Sequence, residues 1–167
     1  MIKRLFVDTA YKINTSNKYA DTKRFVYNLL ENNNYRYKKI FDLFMITLIF
    51  ASVIILIREV KSHVNDHLLF FNNYIISIIF FIEYVFRLWI SSSVTEVIIK
   101  QSEYDSMLGD EFNIKKALKD IAYAKLKYIF SLKAMVDLLA IIPFFHELRL
   151  LRIFILFRVF KLFRYAN

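Results

Sequence analysis

The sequence predicts an all-α membrane protein in which four transmembrane helices follow a short amphipathic cytoplasmic helix. Two observations carry that expectation. Apolar residues make up 57% of the 167 residues, yet 23% are charged, and the charges fall mostly between apolar blocks. Those blocks approach the roughly 20 residues with which a helix crosses a bilayer, whereas a soluble domain of this size shows shorter amphipathic segments.

Residues 1–40 hold nine Lys or Arg against three acids. Within them Phe25, Val26, Leu29 and Leu30 recur on one helical face before the Asn32-Asn33-Asn34 break, which predicts an amphipathic helix at about 22–31 on the membrane surface. The bundle then occupies residues 41–167. Its first helix is expected at about 41–58, ending at Arg58 and Glu59, and its second at 69–90. Residues 91–128 form a cytoplasmic polar linker with six basic and six acidic residues, containing a helix from about Ile114 that Asn113 caps. The third helix is expected at 129–145. After His146 and Glu147 the fourth runs over 148–165.

Orientation follows from charge. Basic residues flanking the first helix are retained on the cytoplasmic side, so both chain ends are expected inside and the loops at 58–68 and 146–147 outside. The start MIKRLFVDTAYKIN has no apolar stretch long enough for a signal-peptide core.

Composition also excludes functions. Without cysteine there are no disulfides or thiolate metal sites. Gly109 and Pro143 are the only glycine and proline, which removes Gly-rich phosphate loops, dinucleotide fingerprints and the glycine-containing carbonyl filter of potassium pores. No cofactor motif is present. No Ser/His/Asp or Cys/His arrangement suggests catalysis, and the net charge of +9 is divided among leader, loops and a membrane helix rather than gathered into a nucleic-acid patch. His63 and His67 are spaced four apart, with Glu59, Asp66 and His146 as further candidate zinc ligands, against which a plain solvated loop is the competing reading.

Charges inside apolar spans are costly and normally mark a partner or an ion pathway. In the fourth helix Arg149, Arg152, Arg158, Lys161 and Arg164 recur every third residue, with Ile155 at the one uncharged position. This spacing winds slowly round an α-helix and lines up in a 3₁₀ segment. Glu83 and Asp137 lie at similar distances from the cytoplasmic ends of the second and third helices, which at 1.5 Å per residue puts both about 10–12 Å deep. Phe80, three residues outward of Glu83 on the same face, is placed to plug the crevice between outer and inner water. Blander readings stand beside these. Positive-inside anchoring accounts for Lys161 and Arg164 but not for Arg149 and Arg152. Static pairing of Glu83 with Arg87 and of Asp137 with Lys133 competes for each acid singly. Arg87 and Trp89 read as markers of the inner interface.

Phe80-Phe81-Ile82-Glu83 with Arg87, the run Asp137-Leu138-Leu139-Ala140-Ile141-Ile142-Pro143, and Arg158-Val159-Phe160-Lys161-Leu162-Phe163-Arg164-Tyr165 together resemble the voltage-sensor domain of voltage-gated potassium channels and their bacterial ion-transporter relatives. The likeness covers roughly residues 23–167 and is weakest over 91–128. It implies that Arg149, Arg152, Arg158, Lys161 and Arg164 are gating charges, that Phe80, Glu83 and Asp137 form the charge-transfer centre, and that four sensors surround one pore. That pore belongs to a linker helix, two further spans and a re-entrant filter beyond these residues. Ile155 replaces an expected basic residue, and Asn72 or Asn73 stands where many relatives carry an outer acid. A stand-alone proton-permeating sensor is the alternative. Known proton channels share a mid-membrane acid in the first helix and a tryptophan among the arginines, whereas here Asp42 lies at the cytoplasmic end and the fourth helix lacks Trp. A sensor or anchor for another effector is the third reading.

Overall fold

The computed structural model describes residues 2–61, 65–141 and 157–165, and among these every regular element is helical. In chain order they are α1 (Ile2–Asn14), α2 (Asn17–Leu30), α3 (Arg36–Lys61), α4 (Asp66–Phe70), α5 (Ile76–Ile90), α6 (Val94–Met107), α7 (Ile114–Ile129), α8 (Leu132–Ile141), α9 (Phe157–Phe160) and α10 (Leu162–Tyr165). A π-helical turn, Phe71–Ile75, joins α4 to α5, the Ile76 N–H reaching back five residues to the Phe71 carbonyl. The second predicted helix is therefore helical from Asp66 to Ile90, started by the Asn65 side chain accepting from the His67 N–H at 3.1 Å.

The two long helices are inside out by the standards of a soluble protein. On α3, Met45, Leu48, Ile49 and Ser52 are buried at the spacing of one helical stripe, while Leu43, Phe44, Phe50 and Ile54 face outward. On α5 the inward stripe holds Ser77, Phe80, Glu83 and Arg87, and Ile78, Phe81, Ile82 and Phe86 are exposed. Water outside would favour the opposite arrangement; hydrocarbon outside favours this one. Arg36–Glu59 and the stretch beginning at Ile76 have the length and apolar composition to cross a membrane. The core lies where α3, α5 and α8 meet, with Met45, Ile49, Ile76, Phe80, Ala134 and Ala140 fully buried. Ala134 and Ala140 let the α8 backbone approach its neighbours closely.

The segments outside the long apolar helices are more helical than the sequence suggests. The expected amphipathic helix at 22–31 extends back to Asn17, and a separate helix, α1, precedes it. Val26 and Leu30 of α2 are buried, whereas Phe25 stays exposed against Tyr35. The expected linker at 91–128 contains α6 as well as α7. Periodicity missed α6 because its buried face carries Thr95, Gln101 and Asp105 beside Ile98, so the stripe is mostly polar. Those groups are satisfied by neighbours: Thr95 Oγ1 donates to Asn14 Oδ1 at 3.4 Å, and Asp105 accepts from Gln101 Nε2 at 2.6 Å and from the Asn113 N–H at 2.8 Å. Gly109, at φ 74°, closes α6, with the Asp110 N–H bonded to the Asp105 carbonyl at 2.9 Å. Asn113 caps α7 as expected, accepting from the Lys116 N–H at 3.2 Å. Lys3–Glu111 at 2.8 Å and Tyr11–Glu103 at 3.2 Å tie α1 to this linker. Lys125 on α7 donates to the Leu88, Trp89 and Ser92 carbonyls at the end of α5.

The third helix starts later than expected. Phe130 ends α7, and the Ser131 hydroxyl accepts the Ala134 N–H at 3.3 Å to begin α8 at Leu132. Of the fourth helix, α9 and α10 are described with Lys161 between them, and the rest lies outside the described residues.

Candidate functional site

Helix α5 turns Phe80, Glu83 and Arg87 inward because the three lie within two turns of one face. Asp137 is presented from α8 on the same stripe as Ala134 and Ala140. Between them comes Lys161, fully buried, with its Nζ 2.7 Å from Glu83 Oε2, 3.4 Å from Asp137 Oδ1 and 4.2 Å from the centre of the Phe80 ring. The Tyr165 hydroxyl donates to Glu83 Oε1 at 2.7 Å.

Arg158 occupies the other end of this arrangement and is also fully buried. Its Nε donates to the Ala140 carbonyl at 3.1 Å, Nη1 to Ser52 Oγ at 2.5 Å and Asn72 Oδ1 at 3.1 Å, and Nη2 to Ser77 Oγ at 2.6 Å. The Asn72 carbonyl, within the π-helical turn, accepts as well at 3.3 Å. The guanidinium carbon stands 5.6 Å from the Phe80 ring centre. One phenyl ring is therefore within cation–π reach of two cations, Lys161 in a nest of carboxylates and Arg158 in a nest of neutral oxygens. The Lys161 N–H bonds to the Arg158 carbonyl at 3.1 Å, three residues back. Such a 3₁₀-type turn brings side chains three apart onto one line, which is how both reach the same ring.

Arg87 makes the expected pair with Glu83 four residues away, its Nη2 2.8 Å from Glu83 Oε1, and at 2% exposure it is drawn further into the cluster than an interface marker: Nη1 is 2.7 Å from Glu31 Oε1, and Nε lies 4.0 Å from Asp137 Oδ2. Trp89 packs edge-on against Tyr19 of α2 at 5.9 Å. Burying an ion costs several kcal/mol unless partners compensate it. Here Arg87 and Lys161 face Glu31, Glu83 and Asp137, while Arg158 is met by the neutral oxygens of Ser52, Asn72, Ser77 and Ala140.

The structure thus brings Phe80, Glu83, Asp137, Arg158 and Lys161 together. Arg149 and Arg152 lie outside the described residues, and Arg164 enters only through its backbone in α10. The candidate zinc ligands His63 and His146 also lie outside them, and among the described residues no group of three His, Cys, Asp or Glu is placed to hold a metal. Ser52, Ser77 and Glu31 were not singled out from sequence. Ser52 and Ser77 share helical faces with Ile49 and Phe80, a signal that was present; Glu31, 56 residues from Arg87, had none.

No curated protein and no solved structure matches the chain. A family model described as ion transport protein does match, over residues 38–167, which takes in α3 but for its first two residues, the whole charge cluster except Glu31, and the fourth helix. With a match over most of its length, and with charged faces turned inward from lipid-facing helices, the chain belongs to the ion transport protein family, the voltage-gated ion channel family that its sequence resembles.

Proposed function

We propose that the chain is the voltage-sensing domain of a voltage-gated cation channel, potassium being the cation that the resemblance implies, and that it gates a pore outside these residues. The observation that carries this reading is the pair of fourth-helix cations about Phe80, Lys161 held by Glu83 and Asp137 and Arg158 held by Ser52, Asn72 and Ser77.

In this reading four helices cross the membrane and both chain ends are cytoplasmic, so Glu31, with Arg87 buried behind it, lies toward the inner side and Asn72 toward the outer side. A three-residue step of the fourth helix carries one cation past the ring. The moving group exchanges neutral oxygens for carboxylates, so it is never left unpaired, and Phe80 keeps the inner and outer crevices apart. Each elementary charge crossing the full field contributes about 2.3 kcal/mol per 100 mV. Arg149, Arg152 and Arg164 extend the same series. The partners are the lipid bilayer and a pore domain, with four sensors around one pore in a homotetramer; cofactors, nucleic acid and catalysis have no part.

The test is charge movement: the full chain in a lipid membrane under voltage steps, with protons as the only permeant ion. Transient current supports a sensor. A sustained current that follows the pH gradient transfers the reading to a proton-permeating sensor, and silence in both records leaves an anchor and overturns it.

A further inference from the structure

We propose that Glu31, contributed by the N-terminal helix α2, is a counter-charge that sets the resting balance of the buried charge cluster through Arg87. The proposal rests on the voltage-sensing reading above and adds a residue that lies outside the matched span of residues 38–167.

Glu31 follows the last turn of α2, with its N–H on the Tyr27 carbonyl at 2.8 Å. The next turn is pinned by Asn32, whose side chain donates to Asn28 at 3.0 Å and accepts from the Asn34 N–H at 3.1 Å. Glu31 is thus held in place, with its carboxylate 2.7 Å from Arg87 Nη1, while the Leu30 carbonyl accepts from the same nitrogen at 3.2 Å. Arg87 divides its donors: one edge goes to Glu83 and Nη1 to the end of α2. Glu83 in turn keeps its second oxygen for Lys161. The chain of contacts Glu31, Arg87, Glu83, Lys161 therefore runs without a gap from the N-terminal segment to the fourth helix.

Position gives Glu31 access as well as contact. It lines a cavity of about 630 Å³ with Tyr27, Arg87, Ser91, Ser131 and Lys133, between the ends of α2 and α5 and the start of α8. Glu31 retains 35% of its side-chain exposure, whereas Glu83 and Arg87 retain 2%. It is the one acid of the cluster that meets bulk solvent, on the inner side.

Removing its charge takes one negative charge from the inner end of the cluster, beside Arg87. That raises the potential felt by the fourth-helix cations and drives them outward. In full-chain recordings of transient charge movement, Glu31→Gln should move the charge–voltage midpoint to more negative voltages and Glu31→Lys further, with total charge unchanged, and Glu31→Asp should shift it least. Glu103→Gln removes a carboxylate that also anchors the N-terminal segment, through Tyr11, but touches no member of the cluster. Superimposable wild-type, Glu31→Gln and Glu31→Lys curves overturn the proposal, as does an equal shift from Glu103→Gln, which would indicate mere undocking or surface charge. If Glu31→Gln does not fold, the Glu31→Asp and Glu103→Gln curves still decide: coincident shifts overturn the assignment. Absence of charge movement in the wild-type chain instead overturns the sensor reading itself, so the two failures are distinct.

Discussion

Lys161 Nζ stands 4.2 Å from the centre of the Phe80 ring while bonded at 2.7 Å to Glu83, which lies one turn along the same helix as that ring. A buried ammonium thus has a carboxylate beneath it and a π face beside it, from two residues of one element. Arg158 approaches the same ring at 5.6 Å, so two fourth-helix cations share one aromatic face.

Replacing Phe80 with Leu keeps an apolar plug but removes the quadrupole. The loss should be about 2 kcal/mol for a desolvated cation, roughly thirtyfold in the equilibrium between fourth-helix positions. A shifted charge–voltage midpoint with unchanged total charge is the expected record, and Phe80→Tyr or Trp should restore much of the wild-type midpoint.

Glu83→Gln should be the most damaging neutralisation in the cluster, since Glu83 alone receives Lys161, Arg87 and Tyr165. Leaving buried cations uncompensated costs about 3–5 kcal/mol, measurable as a lowered unfolding temperature of the purified chain. Asp137→Asn should cost less, because its Lys161 contact is longer, 3.4 Å, and Glu83 remains; it should still displace the charge–voltage curve. Equal stability of the two variants would contradict the ranking.

Asn72 offers the opposite manipulation. It accepts from Arg158 at 3.1 Å without supplying charge. Asn72→Asp would place a carboxylate against a guanidinium, a pairing roughly twice as strong as a neutral hydrogen bond. In the proposed orientation this outer acid attracts fourth-helix cations, so the midpoint should move to more negative voltages. An unmoved or positive-going curve would mean that Arg158 does not use this nest in the membrane.

Lys125 fastens α7 to the end of α5 through three carbonyls, at the price of partial desolvation and proximity to Lys23, which lower its pKa below the ordinary lysine value. Lys125→Met should loosen that attachment by about 1–3 kcal/mol. Hydrogen exchange should then quicken in α7 while the amides of α3 and the core of α5 stay protected.

Residues close in sequence, or repeating at a helical period, determined a large part of this protein without help from the fold. The apolar blocks of α3 and α5, the three-residue series through Arg158 and Lys161, the inward placement of Glu83 and Asp137 and the Asn113 cap are all local patterns, because helix geometry alone fixes which side chains share a face and at what depth. Tertiary structure decided who pairs with whom. The Glu83–Arg87 pair is local, but only α2 brings Glu31 within 2.7 Å of Arg87, and α6 is a polar linker until α1 and its own turn satisfy Thr95 and Asp105. The Arg158 nest needs Ser52, Asn72 and Ser77 from two helices distant in the chain. A buried polar group is stable only where partners converge on it, and convergence depends on the packing of whole elements, which no local period records.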